Sequence, residues 1–266
     1  MVRNVVRNSR THFALSRSRL LLPARCGKNG DYDLSVESVV LIPSLGRPSS
    51  DFDLLAESLR KASFNPVPID PRPHFPDRPN LHDLALDTIH QIDELGIENF
   101  HLVGHAFGNR LSRCVAADFP ERVLSLTLLA AGGLVEPPAE MWQVLFSCYD
   151  RTLSDEDHIA AVRTAFFAEG NDPTSWRDGW YPEIMKYQRG AVTSTPREDW
   201  WSAAVSRVLV VQALQDAIAP VENGRRYQAE SAPHAQLIEI NQSGHAMLPE
   251  QPDAIASALI AFLRSE

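Results

Sequence analysis

Nowhere in this sequence do about 18 apolar residues follow one another, the length a helix needs to cross a bilayer. The longest mostly apolar runs, such as Leu126 to Ala131, are the size of a strand. An integral membrane protein of the helical kind is therefore excluded. Cysteine is scarce as well: Cys26, Cys114 and Cys148 are odd in number, scattered, and without CxxC or zinc-ligand spacing. Neither a disulfide framework nor a metal site is indicated, and a reducing compartment such as the cytoplasm suits this usage. Acidic residues are missing from residues 1–30, which hold Arg3, Arg7, Arg10, Arg17, Arg19, Arg25 and Lys28. Removing those seven positives from the net charge of -9 leaves about -16 on residues 31–266, a body unsuited to binding nucleic acid.

The basic arm has three readings. It is a transit-like organellar peptide, a flexible extension over about residues 1–17, or, in its second half, the first strands of a sheet. A secretory signal is disfavoured because Arg17 and Arg19 interrupt its apolar core. The whole chain of 266 residues is 44% hydrophobic and 22% charged, which suffices to bury the core of one large soluble α/β domain.

Ser18 to Ala24 and Asp33 to Val36 are weak strand candidates around a turn at residues 27–30. Val39 to Ile42 is stronger, a short all-apolar run typical of a parallel strand covered on both faces. Helical spacing follows in Phe52, Leu54, Leu55 and Leu59, then a strand over Phe64 to Ile69. An Asn80 cap opens a helix that Gly96 ends, and Val123 to Ala131 is another buried strand. Strict alternation of strand and helix predicts a doubly wound parallel sheet. From Gly132 to Trp201 the pattern turns helical and aromatic, predicting a helical cap inserted over the carboxyl edge of the sheet, where such sheets place a ligand. Alternation resumes with strands at Val208 to Val211 and Leu237 to Ile240, and helices at Glu222 to Ser231 and Asp253 to Leu263.

Between Asn99 and Pro120 an apolar run (Phe100, Leu102, Val103) stops at Gly104, a second glycine follows at Gly108, and a helical pattern starts at once. Glycines so spaced let strand and helix backbones touch while the residue between them is held out at the apex. This stretch resembles the nucleophile elbow of the α/β-hydrolase superfamily, Gly-x-Ser-x-Gly. Here Ala106 occupies the place of the serine. Two later loops extend the resemblance: Val211 to Pro220 implies Asp216 as the acid of a triad, and Asn241 to Pro249 implies His245 as its base. The resemblance runs from about Val39 onward and implies an α/β-hydrolase fold acting on a small-molecule substrate; no cofactor is expected.

A histidine serves as general base when a carboxylate fixes its tautomer, the role implied for Asp216 beside His245. Where relatives carry His-Gly and an apolar residue, this chain has Pro43-Ser44-Leu45-Gly46-Arg47. Oxyanion donors are backbone N–H groups, so Leu45 and Phe107 are assigned that role whatever their side chains. Ser44 and Arg47 are polar groups expected at the mouth: Arg47 either holds a substrate carboxylate or pairs within its loop, and Ser44 is a remote substitute nucleophile. His105 either packs beneath the site or contacts substrate. Pairing His101 with His105 on a metal is discounted, there being no third ligand nearby. Among the aromatics Trp176, Trp180 and Tyr181 are assigned to the pocket wall, while Arg110 and Arg113 are read as solvated or paired.

Three explanations of Ala106 follow. It belongs to a catalyst that uses the His245–Asp216 pair directly, in a branch with a native alanine; to a pseudoenzyme that binds a small apolar ligand; or to an engineered Ser-to-Ala form of a serine esterase. The apex of such an elbow normally has φ > 0, a strain that glycine would relieve, so its retention as alanine points to an occupant.

Overall fold

Parallel strands that helices cover on both sides read as continuous apolar runs, and this governs the sheet here. The computed structural model describes residues 36–265 apart from 76, 77, 203, 204, 206 and 232. The basic arm, Cys26, and the strand candidates at 18–24 and 33–36, save Val36, lie outside the described residues. In chain order come β1 (Ser38–Ile42), α1 (Asp53–Lys61), β2 (Asn65–Pro68), α2 (Leu81–Asp93), β3 (Phe100–His105), α3 (Phe107–Asp118) and β4 (Val123–Leu129). Three helices follow, α4 (Ala139–Ser147), α5 (Asp155–Phe166) and α6 (Pro182–Ser194). The chain closes with β5 (Val208–Ala213), α7 (Glu222–Ser231), β6 (Ala235–Ile240), the single turn α8 (Met247–Glu250) and α9 (Pro252–Arg264).

All six strands are parallel, in the spatial order β2, β1, β3, β4, β5, β6. β1, β3 and β5 are buried along their whole length. Alternate residues of β1 serve different cores. Val40 and Ile42 pack with Leu84, Ile89, Leu111 and Val115 of α2 and α3, whereas Val39 and Leu41 pack with Leu55 and Leu59 of α1 and Leu259 and Phe262 of α9. The winding direction reverses between β1 and β3, so the loops leaving those strands diverge and open a crevice. Ile42 sits opposite Gly104 in the register, which brings the Pro43–Arg47 loop beside the elbow.

No helix among the described residues is long and apolar enough to cross a membrane. β4 stops two residues short of the expected Ala131, because Ala130 turns to φ 52. Arg113, expected in solvent or in an ion pair, is fully buried instead: its guanidinium carbon lies 4.7 Å from the rings of both Trp200 and Trp201, and it bonds Asn109 and the Gly132 carbonyl. Burial lowers its pKa to about 9, which keeps it charged at neutral pH.

α2 begins in a capping box, Asn80 accepting from the Asp83 N–H while the Asp83 carboxylate accepts from the Asn80 N–H. In its first turn His82 Nδ1 lies 2.8 Å from Asp118 of α3, with Cys114 Sγ 3.5 Å away and Asp199 3.5 Å from Nε2. The hydrogen bond that His82 Nδ1–H donates to the Asp118 carboxylate raises the His82 pKa above its ordinary 6.5 against the opposing effect of burial. A raised folded pKa means that the pair stabilises fully below the unfolded value and loses its effect as pH rises through the folded one. Since the histidine is largely solvated, His82→Gln should cost at most about 1 kcal/mol at pH 5.5 and less at pH 9 in urea unfolding. Equal costs at the two pH values would refute the ion pair.

Candidate active site

The elbow is assembled by close backbone approach. A Cβ on Gly108 would lie 2.1 Å from the Ile42 carbonyl oxygen, and one on Gly104 would lie 2.3 Å from the Gly108 oxygen, so neither position tolerates a side chain. With α3 pressed onto β1 and β3, the residue between strand and helix is forced into an unusual conformation. Ala106 has φ 52 and ψ -107, its N–H donates to the Leu129 carbonyl at 2.9 Å, and its methyl faces a cavity. Such a backbone costs a non-glycine residue about 1–3 kcal/mol. Ala106→Gly should therefore raise stability by about 1 kcal/mol after the entropy that glycine forfeits. A thermal melt that falls instead would show the strain to be absent.

The loop after β5 carries Asp216 and the loop after β6 carries His245. Asp216 Oδ1 accepts from the Ile218 and Ala219 N–H groups at 2.8 and 2.7 Å, which fixes the carboxylate. His245 Nδ1 stands 2.8 Å from Oδ2 and 3.0 Å from Oδ1 of the same carboxylate, and both residues are buried. A carboxylate accepts at Nδ1, so that nitrogen bears the proton and Nε2 keeps a free lone pair. His245 lines the cavity together with Ala106, Leu45, Phe107 and Ser44. Neither the Leu45 nor the Phe107 N–H has an acceptor among the described residues, and the Leu45 carbonyl accepts from the Tyr149 hydroxyl.

Several residues hold the His245 loop that the sequence reading did not single out. The Glu250 carboxylate accepts from the N–H groups of Gly244 and Ala168 at 2.7 Å each, tying the loop to the end of α5. The Ala246 N–H donates to the Phe166 carbonyl at 2.8 Å, and the Phe166 ring lies 5.6 Å from that of His245. Glu250 stands five residues past His245, and nothing in that spacing marks it as a tether.

Two assignments to the substrate wall, Trp176 and Tyr181, need correction, and for His105 and Arg47 one of the two expected alternatives is realised. His105 is fully buried beneath the site, where its Nε2–H donates to the His245 carbonyl at 2.8 Å. Burial, reinforced by the neighbouring His245, lowers its pKa to about 3; it is a neutral prop for the loop. Trp176 is buried against His105, Phe166 and Phe167 and does not line the cavity. Tyr181 is 37% exposed and likewise stays out of the cavity, since it caps α6 on the outer side. Arg47 does border the cavity, but its guanidinium is committed: Nε and Nη2 bond the Asp51 carboxylate at 2.9 and 2.7 Å, and Nη1 bonds the Asp178 carbonyl. Its carbon lies 4.3 Å from the Trp176 ring and 4.5 Å from the Trp180 ring. The alternative of pairing within the loop is the one realised. Trp180 does line the cavity, joined by Leu145 and by Trp142, Tyr149 and Phe166, which sequence periodicity left among the general aromatics.

The cavity has a volume of about 260 Å³. Its walls come from the loops after β1, β3, β4, β5 and β6 and from α3, α4, α5 and α6, and they are mostly apolar.

The profile of the alpha/beta hydrolase family matches residues 39–258, and the chain belongs to that family. Rhodomycin D methylesterase DnrP of Streptomyces peucetius is 23% identical over 218 residues, covering 69% of this chain and 73% of that protein. The dihydrolipoyllysine-residue acetyltransferase component of the acetoin cleaving system of Pseudomonas putida is 26% identical over 202 residues, 70% of this chain. The match spans about half, 51%, of that relative's length. Among solved structures, the enol-lactonase from Burkholderia xenovorans LB400 superposes with a TM-score of 0.71 at 21% identity, covering 86% of this chain and 92% of the other. At that identity the likeness speaks for the fold.

Proposed function

We propose that this protein hydrolyses a small, largely apolar ester, amide or ketone-type substrate through the His245–Asp216 pair and a backbone oxyanion hole, without a serine nucleophile. The observation that carries the reading is the carboxylate of Asp216, pinned by two backbone N–H groups and bonded to His245 Nδ1, which leaves Nε2 as the basic atom of a ring bordering the cavity. In this scheme Nε2 takes a proton from a water molecule as its oxygen attacks the substrate carbonyl. The Leu45 and Phe107 N–H groups hold the resulting oxyanion. On collapse, the bond to the leaving group breaks and the imidazolium returns its proton to that group, so His245 ends as it began. The Ala106 methyl leaves space at the apex for the water that a serine hydroxyl would displace. That a relative is named a methylesterase agrees with ester chemistry.

The test is turnover by the full chain across a panel of esters and amides, with and without a fluorophosphonate probe. Hydrolysis insensitive to the probe and lost in His245→Ala supports the reading; turnover that survives in His245→Ala refutes it. Ala106 itself favours one competitor, a ligand-binding protein without turnover. In that case a bound small molecule raises the melting temperature and is recovered unchanged.

A further inference from the structure

Three arginines border the cavity, and they differ in what they touch. Arg47 is fully engaged by Asp51, the Asp178 carbonyl and two indole rings. Arg189 is exposed, with its guanidinium carbon 4.4 Å from the Phe146 ring. Arg110 is half-buried, with its guanidinium carbon 5.7 Å from the Trp200 ring, and has neither a hydrogen bond nor an ion pair with any described residue. Burial lowers its pKa, and the opposing influence is the charge of Glu136, an exposed residue that also borders the cavity without bonding to it. A guanidinium partly withdrawn from water, on a cavity wall and with no oxygen bonded to it, is suited to an anion from outside.

The surroundings leave room for one. Gly132 and Gly133 stand beside the guanidinium: a Cβ on Gly132 would lie 3.7 Å from Nη2, and one on Gly133 would lie 3.7 Å from Nε. The Trp200 ring fills the space beside Gly133, 2.6 Å from that would-be Cβ, so the side on which a ligand can reach the fork is the cavity that Arg110 borders. Arg110 is also three residues beyond Phe107 on α3, which displaces it about 4.5 Å along the helix axis from the N–H assigned to the oxyanion hole. A planar guanidinium pairs with a carboxylate through two parallel hydrogen bonds, a geometry that an amide or a lysine does not reproduce.

We propose that Arg110 is the carboxylate-recognition residue of this cavity, so that its substrates are apolar-bodied monoanions whose carboxylate docks on Arg110 while a carbonyl a few atoms away meets Leu45 and Phe107. The second half of this statement rests on the hydrolytic reading above; the binding half does not.

The experiment compares benzoate with benzamide, equal in shape and differing in charge, by isothermal titration of the full chain. Benzoate should bind the unaltered protein at least tenfold more tightly. Arg110→Gln should erase that preference, Arg110→Lys should retain part of it, which also guards against a folding defect, and His245→Ala should keep it. Equal affinities for the two probes, or a benzoate preference that survives Arg110→Gln, would overturn the proposal. A benzoate preference in a protein that turns over no ester sinks the hydrolytic reading and leaves this one standing. Equally fast cleavage of neutral and anionic esters does the reverse.

Discussion

His245→Ala is expected to lower turnover by about 10²- to 10⁴-fold, the span that a positioned general base supplies. Asp216→Asn should do comparable damage by a different route. An asparagine amide turned toward the ring donates to Nδ1, which moves the imidazole proton to Nε2 and leaves no lone pair facing the cavity. The backbone N–H groups of Ile218 and Ala219 would still anchor an amide oxygen, so the loop should hold and the loss should fall on kcat. Ala106→Ser supplies a third arm. On the proposed roles of Asp216, His245 and the Leu45 and Phe107 N–H groups, a serine at the apex should become labelled by a fluorophosphonate. Failure of that variant to react, together with undiminished turnover in the two others, would show that His245 does not serve the elbow.

Gly108→Ala is expected to cost more than about 3 kcal/mol or to abolish folding, the upper range for overpacking. Its Cβ would meet two backbone oxygens, those of Ile42 at 2.1 Å and Pro43 at 2.7 Å, and a strand backbone has no rotamer with which to yield. The only relief is to lift α3 away from β1. That same contact sets the separation of the Leu45 and Phe107 N–H groups, so whatever protein remains folded should also be inactive. Gly190→Ala provides the contrast within one measurement: it lies in α6 with nothing within 4 Å of its would-be Cβ, and alanine should stabilise it by about 0.5–1 kcal/mol. Denaturant midpoints of the two variants moving the same way would contradict the account of the elbow.

Much of the fold was legible because its signals are local. The apolar run of β1, the Asn80 cap and the glycine pair of the elbow each depend on a few neighbouring residues, and the structure has them where the sequence predicts. The elements of the candidate site were legible through their loops, since the ends of parallel strands are where such residues stand. Arg47 was half legible: Asp51 lies four residues on, a spacing that suits a pair, but the indole rings that enclose it come from residues about 130 positions away. Trp176 and Tyr181 were misplaced because aromatic density in a helical segment does not say which ring faces inward. Arg110 was read as solvated or paired, because nothing in a helix pattern records that it borders a cavity, beside Trp200 and with no carboxylate bonded to it.

The order of strands and helices, the absence of a nucleophile at the elbow and the acid and histidine that follow it are properties of the chain itself, carried by periodicity and short motifs. Which side chains face the cavity, which cations are neutralised and which one is left waiting were decided by tertiary packing. The reason is physical: a periodic pattern fixes the direction of a side chain relative to its own element, whereas burial and pairing depend on what another element, distant in sequence, brings against it.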